Sequence, residues 1–196
     1  MVTKHAANKL AWLDINGQSV SYDRNDLSVG LCPYNVQITA DGHFALTANQ
    51  GNGGTPDGGA GSASIIDLTA TPPHLVDYVG VGPTPEGLAV SPKAPLAVAV
   101  AINGSGGAPR GAWFASPNAL LDLLSTKGGQ VRKVGTVRAG RLAEGIAFSP
   151  EGDYLYVANF SDSDLHVYAV EGGKLRDLEK VLKLPGHPAS MRGNTP

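Results

Sequence analysis

A short phrase that recurs along this chain constrains its fold more than any other feature. Its copies share a polar or proline head followed by a short apolar run, and they occupy residues 33–42, 85–92, 143–152 and 186–191. Corresponding positions in successive copies are separated by 52, 58 and 45 residues. Repeats of about 40–50 residues are typical of the blades of a β-propeller.

The third copy shows most clearly how one repeat would fold. Residues 145–148 are an apolar strand, and residues 149–152 (Ser-Pro-Glu-Gly) form a tight turn. Residues 154–158 are rich in aromatic and β-branched side chains, and residues 164–170 alternate as a half-buried strand does. Residues 174–184 supply a charged outer strand. No window sustains a helical period, so the sequence predicts an all-β propeller of four-stranded antiparallel blades.

The two ends of the chain are predicted to share a fourth blade. Residues 9–15 resemble the third strand of a blade and residues 19–29 its outer strand, and residues 1–8 fall at the end of the second strand. We therefore expect one propeller domain over residues 1–196, with blades at residues 30–81, 82–139 and 140–185, and a split blade made of residues 1–29 and 186–192.

About four blades leave the size of the working ring open. We expect the chain to be the C-terminal portion of a ring of seven or eight blades. The alternatives are a closed four-bladed ring and self-association of two chains into a ring of eight, either of which would remove the exposed sheet edge.

Composition excludes several classes of partner and cofactor. The net charge is -2 and the 15 basic residues are scattered, so no nucleic-acid partner is expected. The longest apolar run, residues 96–102, is too short to span a membrane. Cys32 is the single cysteine, and the five histidines lack a zinc-site spacing, so neither a disulfide nor a metal site is expected. No nucleotide-binding motif occurs, and no cofactor is predicted.

Several segments resemble a known family. Residues 156–159 (Tyr-Val-Ala-Asn) after the turn at 149–152, together with residues 65–68, resemble the YVTN repeat of bacterial β-propellers. Residues 103–105 and 184–192 resemble the C-terminal half of YncE-like and lactonase-like propellers. The resemblance implies a binding protein, a surface protein or a lactone hydrolase. It also implies export to the periplasm or the cell exterior, with a signal peptide upstream of Met1, since residues 1–5 do not resemble one.

Blade topology predicts one functional face. Because strands alternate in direction, the long loops at residues 49–62 and 103–117 emerge on the same face as the heads of the inner strands. The polar residues expected there, near the central channel, are Asn35, Glu86, Asn103, Arg110, Arg141, Glu144, Asp162 and His187. Trp113 lies in the second loop, either as a contact aromatic on this face or folded back over the blade.

Two functions are compatible with this face. The first is a non-enzymatic binding protein of the exported YVTN type that presents loops to a small molecule or protein, with Asn35, Asn103, Trp113, Asp162 and His187 as the binding residues. The alternative is a lactonase-like hydrolase in which Glu144 or Glu86 activates water and Arg141 or Arg110 stabilises the oxyanion.

The resemblance to the lactonase-like propellers is incomplete at this site. Ala143-Glu144 resembles the Ala-Glu pair that places a carboxylate in their active cleft, but Phe160 stands where they usually carry an arginine after the second strand. A purely structural role is open for both glutamates, as caps of backbone N–H groups or as solvated side chains.

Overall fold

The computed structural model describes residues 1–51 and 55–193, and within them every extended segment belongs to an antiparallel sheet. The N-terminal region contains β1 (Val2–Lys4), a 3-10 turn (His5–Ala7), β2 (Lys9–Ala11), β3 (Asp14–Asn16), β4 (Ser19–Ser21) and β5 (Asp26–Ser28). Strands β1, β2 and β5 form a three-stranded sheet, here called the N-terminal sheet, and β3 and β4 form a separate hairpin.

Three complete four-stranded sheets follow. Sheet I consists of β6 (Pro33–Ile38), β7 (Phe44–Asn49), β8 (Ala60–Asp67) and β9 (His74–Pro83). Sheet II consists of β10 (Pro85–Val90), β11 (Leu96–Ala101), β12 (Leu120–Ser125), a 3-10 turn (Lys127–Gly129) and β13 (Arg132–Arg138). Sheet III consists of β14 (Ala143–Phe148), β15 (Tyr154–Asn159), β16 (Asp164–Glu171) and β17 (Lys174–Lys183).

Each complete sheet is a meander whose strands pair in chain order. The first strands lie side by side, because β10 packs against both β6 and β14. Four-stranded antiparallel sheets arranged in this way around their first strands are the blades of a β-propeller. The prediction of an all-β propeller is therefore confirmed. The blade boundaries and the split blade formed by the two ends of the chain stay predictions.

The core lies between the faces of neighbouring sheets. Leu46, Ile65 and Leu88 belong to one buried cluster, between sheets I and II. Val98 and Leu155 belong to a second cluster, between sheets II and III. Burial of each such side chain stabilises the fold by roughly 1.5–3 kcal/mol. The alternation of apolar and polar residues that predicted half-buried strands thus places apolar side chains between the sheets. Their packing supports the first residues of the inner strands.

The connection into each complete sheet is held by a glycine whose N–H group meets a buried polar side chain. Gly30 donates to Ser64 Oγ at 3.0 Å, and Gly140 donates to Asn159 Oδ1 at 3.0 Å. In sheet II the acceptor is Asp122, whose Oδ2 lies 2.6 Å from the Gly82 nitrogen. Asn159, the last residue of the YVTN-like segment, is fully buried and therefore has a structural role.

The end of the described chain runs beside sheet III without forming a strand. A Cβ atom built on Gly145 of β14 would lie 3.1 Å from backbone atoms of Ser190 and Met191. Among the described residues, no helix has the length and apolar character needed to cross a membrane.

Candidate functional site

A β-bulge near the start of the first strand of each complete sheet leaves one residue out of the pairing ladder. In β6 the pairing jumps between Pro33 and Asn35, so that Tyr34 has no partner on β7. The same jump leaves Glu86 of β10 and Glu144 of β14 unpaired. Bulges of this kind are common beside active sites, because they redirect a side chain without breaking the strand.

The backbone before each bulge repeats as closely as the bulge itself. Cys32, Thr84 and Leu142 all adopt the left-handed region, with φ values of 52°, 52° and 50°. Such values are uncommon for residues with a Cβ and persist where the surrounding structure enforces them. Tyr34, Glu86 and Glu144 are therefore structurally equivalent residues of three successive sheets.

The register changes the part played by Asn35. The sequence phrase aligned Asn35 with the two glutamates at the mouth of the channel, but Asn35 pairs with Ala48 one step beyond the bulge and is buried. Tyr34 takes the equivalent place and is half exposed. The structure thus brings Glu86 and Glu144 together with a phenol that the sequence did not single out.

Burial and the carboxylate charges raise the pKa values of the groups in this cluster. Burial and the charge of Glu144 raise the pKa of Glu86 to about 7, against an opposing hydrogen bond from Gln50. Burial also raises the pKa of Glu144. The charge of Glu86, together with burial and the charge of Glu144, raises the pKa of Tyr34. Near neutral pH the cluster therefore holds a proton on Glu86 in a substantial fraction of molecules and keeps the phenol protonated.

Two further side chains that the sequence did not single out join this cluster. Gln50 Nε2 donates to Glu86 Oε1 at 2.6 Å, and Gln50 Oε1 lies 2.9 Å from Nε2 of His5. The ring of His5 meets the ring of Tyr34 edge to face, with centroids 6.2 Å apart. Gln50 follows the last residue of β7, and the available sequence signal was a polar residue where the other two repeats carry Ile102 and Phe160.

The arginines predicted beside the glutamates are not engaged with them. Arg141 donates from its backbone nitrogen and from Nε to Asp162, at 2.7 and 2.8 Å. Burial pushes the pKa of Asp162 upward, but these hydrogen bonds from Arg141 outweigh it and lower the pKa. Arg110 is exposed on the second long loop. No ion pair between described residues involves Glu86 or Glu144.

His187 packs on the neighbouring loop of sheet III. Its ring stacks on Phe160 with centroids 4.8 Å apart, and its Nδ1 lies 2.7 Å from the Phe160 carbonyl oxygen. Because a carbonyl only accepts, Nδ1 carries the proton. Ser163 Oγ is also within 3.0 Å of this nitrogen. His187 therefore packs on the apolar side chain of Phe160, and its Nδ1 is not available to bind Glu86 or Glu144.

The second long loop is ordered and presents an aromatic side chain. Asn103 Nδ2 donates to Ser116 Oγ and to the Asn118 carbonyl oxygen, at 3.1 and 3.0 Å, and so ties the two ends of the loop together. Trp113 is 82% exposed and packs edge to face on Phe114. This loop does not fold Trp113 back over the blade. In the first long loop, residues 52–54 lie outside the described residues.

The second long loop also supports the head of sheet III. Ser105 Oγ donates to the Ile102 carbonyl oxygen at 2.7 Å and accepts from the Leu142 nitrogen at 2.8 Å. Leu142 lies two residues before Glu144, so the loop fixes the start of the strand that carries this carboxylate. Within the described ranges, no three His, Cys, Asp or Glu side chains are grouped closely enough to hold a metal ion.

Comparisons with known proteins identify the fold. No protein-family model and no curated protein matches the chain. A candidate 6-phosphogluconolactonase from Bacteroides fragilis matches with a TM-score of 0.70 and 17% identity, over 93% of this chain and 51% of that protein. A protein of unknown function from Desulfotomaculum acetoxidans matches with a TM-score of 0.67 and 17% identity, over 97% and 56%.

The periplasmic gluconolactonase of Pseudomonas aeruginosa also has this fold. It matches with a TM-score of 0.60 and 18% identity, over 92% of this chain and 52% of that protein. The chain thus spans about half the length of the solved structures it matches. At these identities the likeness shows the fold alone, a β-propeller architecture that lactonases also use.

Proposed function

We propose that this chain is the catalytic part of a lactonase-like hydrolase in which Glu86 and Glu144 act as an acid–base pair. The observation that carries the proposal is the position of Glu86, Glu144 and Tyr34 at equivalent bulges of three adjacent inner strands, where the carboxylate charges act on Glu86 and on Tyr34. Pairs of titratable groups whose protonation states are pushed apart are how active sites divide the acid and base roles. The lactonase fold neighbours favour the same reaction class.

The chemistry assigns one role to each group. Ionised Glu144 removes a proton from water as the water oxygen attacks the lactone carbonyl carbon. The Tyr34 hydroxyl donates a hydrogen bond to the oxyanion that forms. The ring C–O bond then breaks, and protonated Glu86 gives its proton to the leaving ring oxygen. The hydroxy acid product departs, and a proton passes from Glu144 to Glu86 through solvent to restore the starting state.

This assignment replaces the predicted carboxylate–arginine pair. Because Asp162 holds Arg141, the oxyanion donor in the proposal is the Tyr34 phenol, whose raised pKa keeps its proton in place. The change also accounts for Phe160 in the place of the family's arginine, since the site does not depend on a guanidinium there.

A binding protein of the exported YVTN type is the second candidate. The observation that favours it is Trp113, whose side chain is 82% exposed on the second long loop. Hydrogen bonds of Asn103 tie the two ends of this loop together. Exposed aromatics on ordered loops are common contact residues. For either function we propose a periplasmic or extracellular location of the intact protein, a blade division at the predicted boundaries, and completion of the ring by further blades or a second chain.

Hydrolysis of neutral and phosphorylated sugar lactones tests the proposal directly. Purified chain is mixed with gluconolactone or 6-phosphogluconolactone, and acid release is followed against the uncatalysed rate. We expect acceleration that falls at least about 100-fold in Glu144→Gln and in Glu86→Gln, the size typical of losing a general base or acid. Glu171→Gln is the control, because Glu171 is exposed and pairs with Arg176.

Two results would contradict the hydrolase. Acceleration that survives in both Gln variants would show that other groups carry the reaction. Binding of either lactone without acceleration, measured by calorimetry, would favour the binding protein instead.

A further inference from the structure

We propose that Gln50 is a positioning residue that holds the Glu86 carboxyl group and the His5 imidazole in one hydrogen-bonded unit, so that the proton on Glu86 and the proton position on His5 are linked. The link is a property of the folded chain. Its catalytic meaning rests on the proposed function.

Gln50 is polar at a position where the equivalent residues of the other two sheets are apolar. Gln50 directly follows the last residue of β7, and its N–H group donates to the Cys32 carbonyl oxygen at 3.1 Å. Ile102 follows β11 and Phe160 follows β15, with the same backbone bond to Thr84 and Leu142. An apolar side chain therefore occupies this position in the other two sheets, and the fold does not require a glutamine there.

The side chain of Gln50 is buried and therefore needs hydrogen-bond partners. It is only 8% exposed, and a buried amide without partners destabilises the fold. Both of its side-chain groups are used, one by Glu86 at 2.6 Å and the other by His5 at 2.9 Å. Among the described residues, the side-chain partners that offset burial are thus two ionisable residues of the site.

The two hydrogen bonds of Gln50 specify which nitrogen of His5 carries a proton. An ionised carboxylate only accepts, so the amide must turn its NH2 group to Glu86 and its oxygen to His5. The amide oxygen also only accepts, so Nε2 of His5 carries a proton. When Glu86 takes up a proton, its hydroxyl group becomes able to donate to the amide oxygen, while its carbonyl oxygen can still accept. The proposal is that the amide turns over in this state, so that its NH2 group donates to an unprotonated Nε2 on His5.

Glu144 on β14 and Tyr34 on β6 are the other titratable groups near Glu86. Burial and the charge of Glu144 raise the pKa of Glu86, and the charge of Glu86 in turn raises the pKa of Tyr34. Gln50 is the neighbour that works in the other direction, because its hydrogen bond favours the ionised form. Removing Gln50 should therefore move the titration of Glu86 to higher pH.

The test follows both protons by NMR in the full chain. Protein carrying 13C-labelled glutamate, assigned with Glu86→Gln, reports the titration of Glu86, and 15N shifts of His5 report which ring nitrogen carries the proton. In the wild type we expect the His5 shifts to change with the same midpoint as Glu86. In Gln50→Ile, which installs the side chain found at position 102, the Glu86 midpoint should rise and the His5 change should lose that midpoint.

A second pair of variants covers the case in which Gln50→Ile does not fold. His5→Leu leaves the amide oxygen without its donor, whereas His5→Gln keeps an N–H donor there. We expect a raised Glu86 midpoint in His5→Leu and recovery toward the wild-type value in His5→Gln. Gln130→Leu, on an exposed loop, is the control for loss of an amide.

The outcomes separate this proposal from the proposed function. An unchanged Glu86 midpoint in folded Gln50→Ile, or the same midpoint in both His5 variants, would overturn the link even if the chain hydrolyses lactones. Linked titrations in a chain without hydrolase activity would support the link and contradict the hydrolase. If both hold, the limb of the pH–rate profile assigned to Glu86 should move upward with the NMR midpoint in Gln50→Ile.

Discussion

Tyr34 occupies in sheet I the place that Glu86 occupies in sheet II. Each stands unpaired in a bulge, two residues after a residue with φ of 52° (Cys32 or Thr84) and directly before a residue that resumes the ladder. The same backbone device thus delivers a phenol from one blade and a carboxyl group from the next to one electrostatic cluster. The repeated bulge determines where the side chain is placed, and the residue type at the bulge determines which chemical group is placed there.

The raised pKa of Glu86 predicts a pH-dependent stability. A carboxyl group whose pKa is raised on folding stabilises the fold below its ordinary value of 4.5, and this contribution is lost as pH rises through about 7. Glu86→Gln has no ionisable group at this position, so it does not undergo this loss of stability. We expect the free energy of unfolding of Glu86→Gln, relative to the wild type, to increase between pH 5 and pH 8. Urea titrations at several pH values measure it.

Glu171→Gln is the matched control for this experiment. Glu171 is exposed, and the hydrogen bond and charge of Arg176 lower its pKa. Ionisation of Glu171 therefore does not destabilise the fold as pH rises. A difference between Glu86→Gln and the wild type that is the same at pH 5 and pH 8 would show that Glu86 titrates normally in the folded chain.

Strand positions followed from the sequence because each depends on a local pattern. Residues 154–158, 164–170 and 174–184 were predicted as strands, and the structure has Tyr154–Asn159, Asp164–Glu171 and Lys174–Lys183. The N-terminal region differs, since residues 9–15 were predicted as one strand. The structure instead has a hairpin in which Gly17 and Gln18 form the two-residue turn between β3 and β4, with Asn16 paired to Ser19. Glycine at the first turn position suits such a hairpin, and Gly17 adopts a φ of 60°. The turn interrupts the expected strand.

The candidate site was only half visible in the sequence because its contacts join distant segments. Glu86 and Glu144 stood out as charged residues at the heads of repeated strands. Gln50 reaches Glu86 across 36 residues and His5 across 45. Contacts over such separations depend on the packing of one blade against the next, which a repeat pattern does not specify at the level of individual side chains.

Gly140 is predicted to be intolerant of any side chain. A Cβ atom there would lie 2.5 Å from Cγ of Asn159, which is fully buried and bonded to Gly140 and to Asp164. Asn159 cannot move without losing these hydrogen bonds. We expect Gly140→Ala to lower the free energy of unfolding by about 1–3 kcal/mol, the range for overpacking a buried site. Chemical denaturation measures it.

Gly135→Ala is the control for Gly140→Ala. Gly135 lies in β13, and a Cβ atom built on it meets no atom within 4 Å. We expect Gly135→Ala to unfold at nearly the wild-type denaturant concentration. Equal losses in the two variants would mean that the contact with Asn159 is not what makes Gly140 necessary.

Asp122 is predicted to stabilise sheet II through several partners at once. It is fully buried, and it accepts from the Gly82 nitrogen, from Thr136 Oγ1 and from Lys133 Nζ at 2.6–2.7 Å. Asp122→Ala removes the buried acceptor of these donors, and a hydrogen bond to a charged group typically contributes about 1.5–3 kcal/mol. Thermal and urea unfolding should show a clear loss in Asp122→Ala. Asp153→Ala, which removes an exposed partner of Lys93, should show little.

Trp113 is predicted to report ligand binding without contributing to the fold. It is 82% exposed, whereas Trp12 packs against the core of the N-terminal sheet and sheet I. In Trp12→Phe, the remaining emission should be strongly quenched by iodide, and in Trp113→Phe only weakly. A lactone or other ligand held on the face of the long loops should then protect Trp113 from iodide in Trp12→Phe. Strong shielding before any ligand is added would mean that the second long loop covers Trp113, and quenching that a bound ligand leaves unchanged would place the binding site away from this loop.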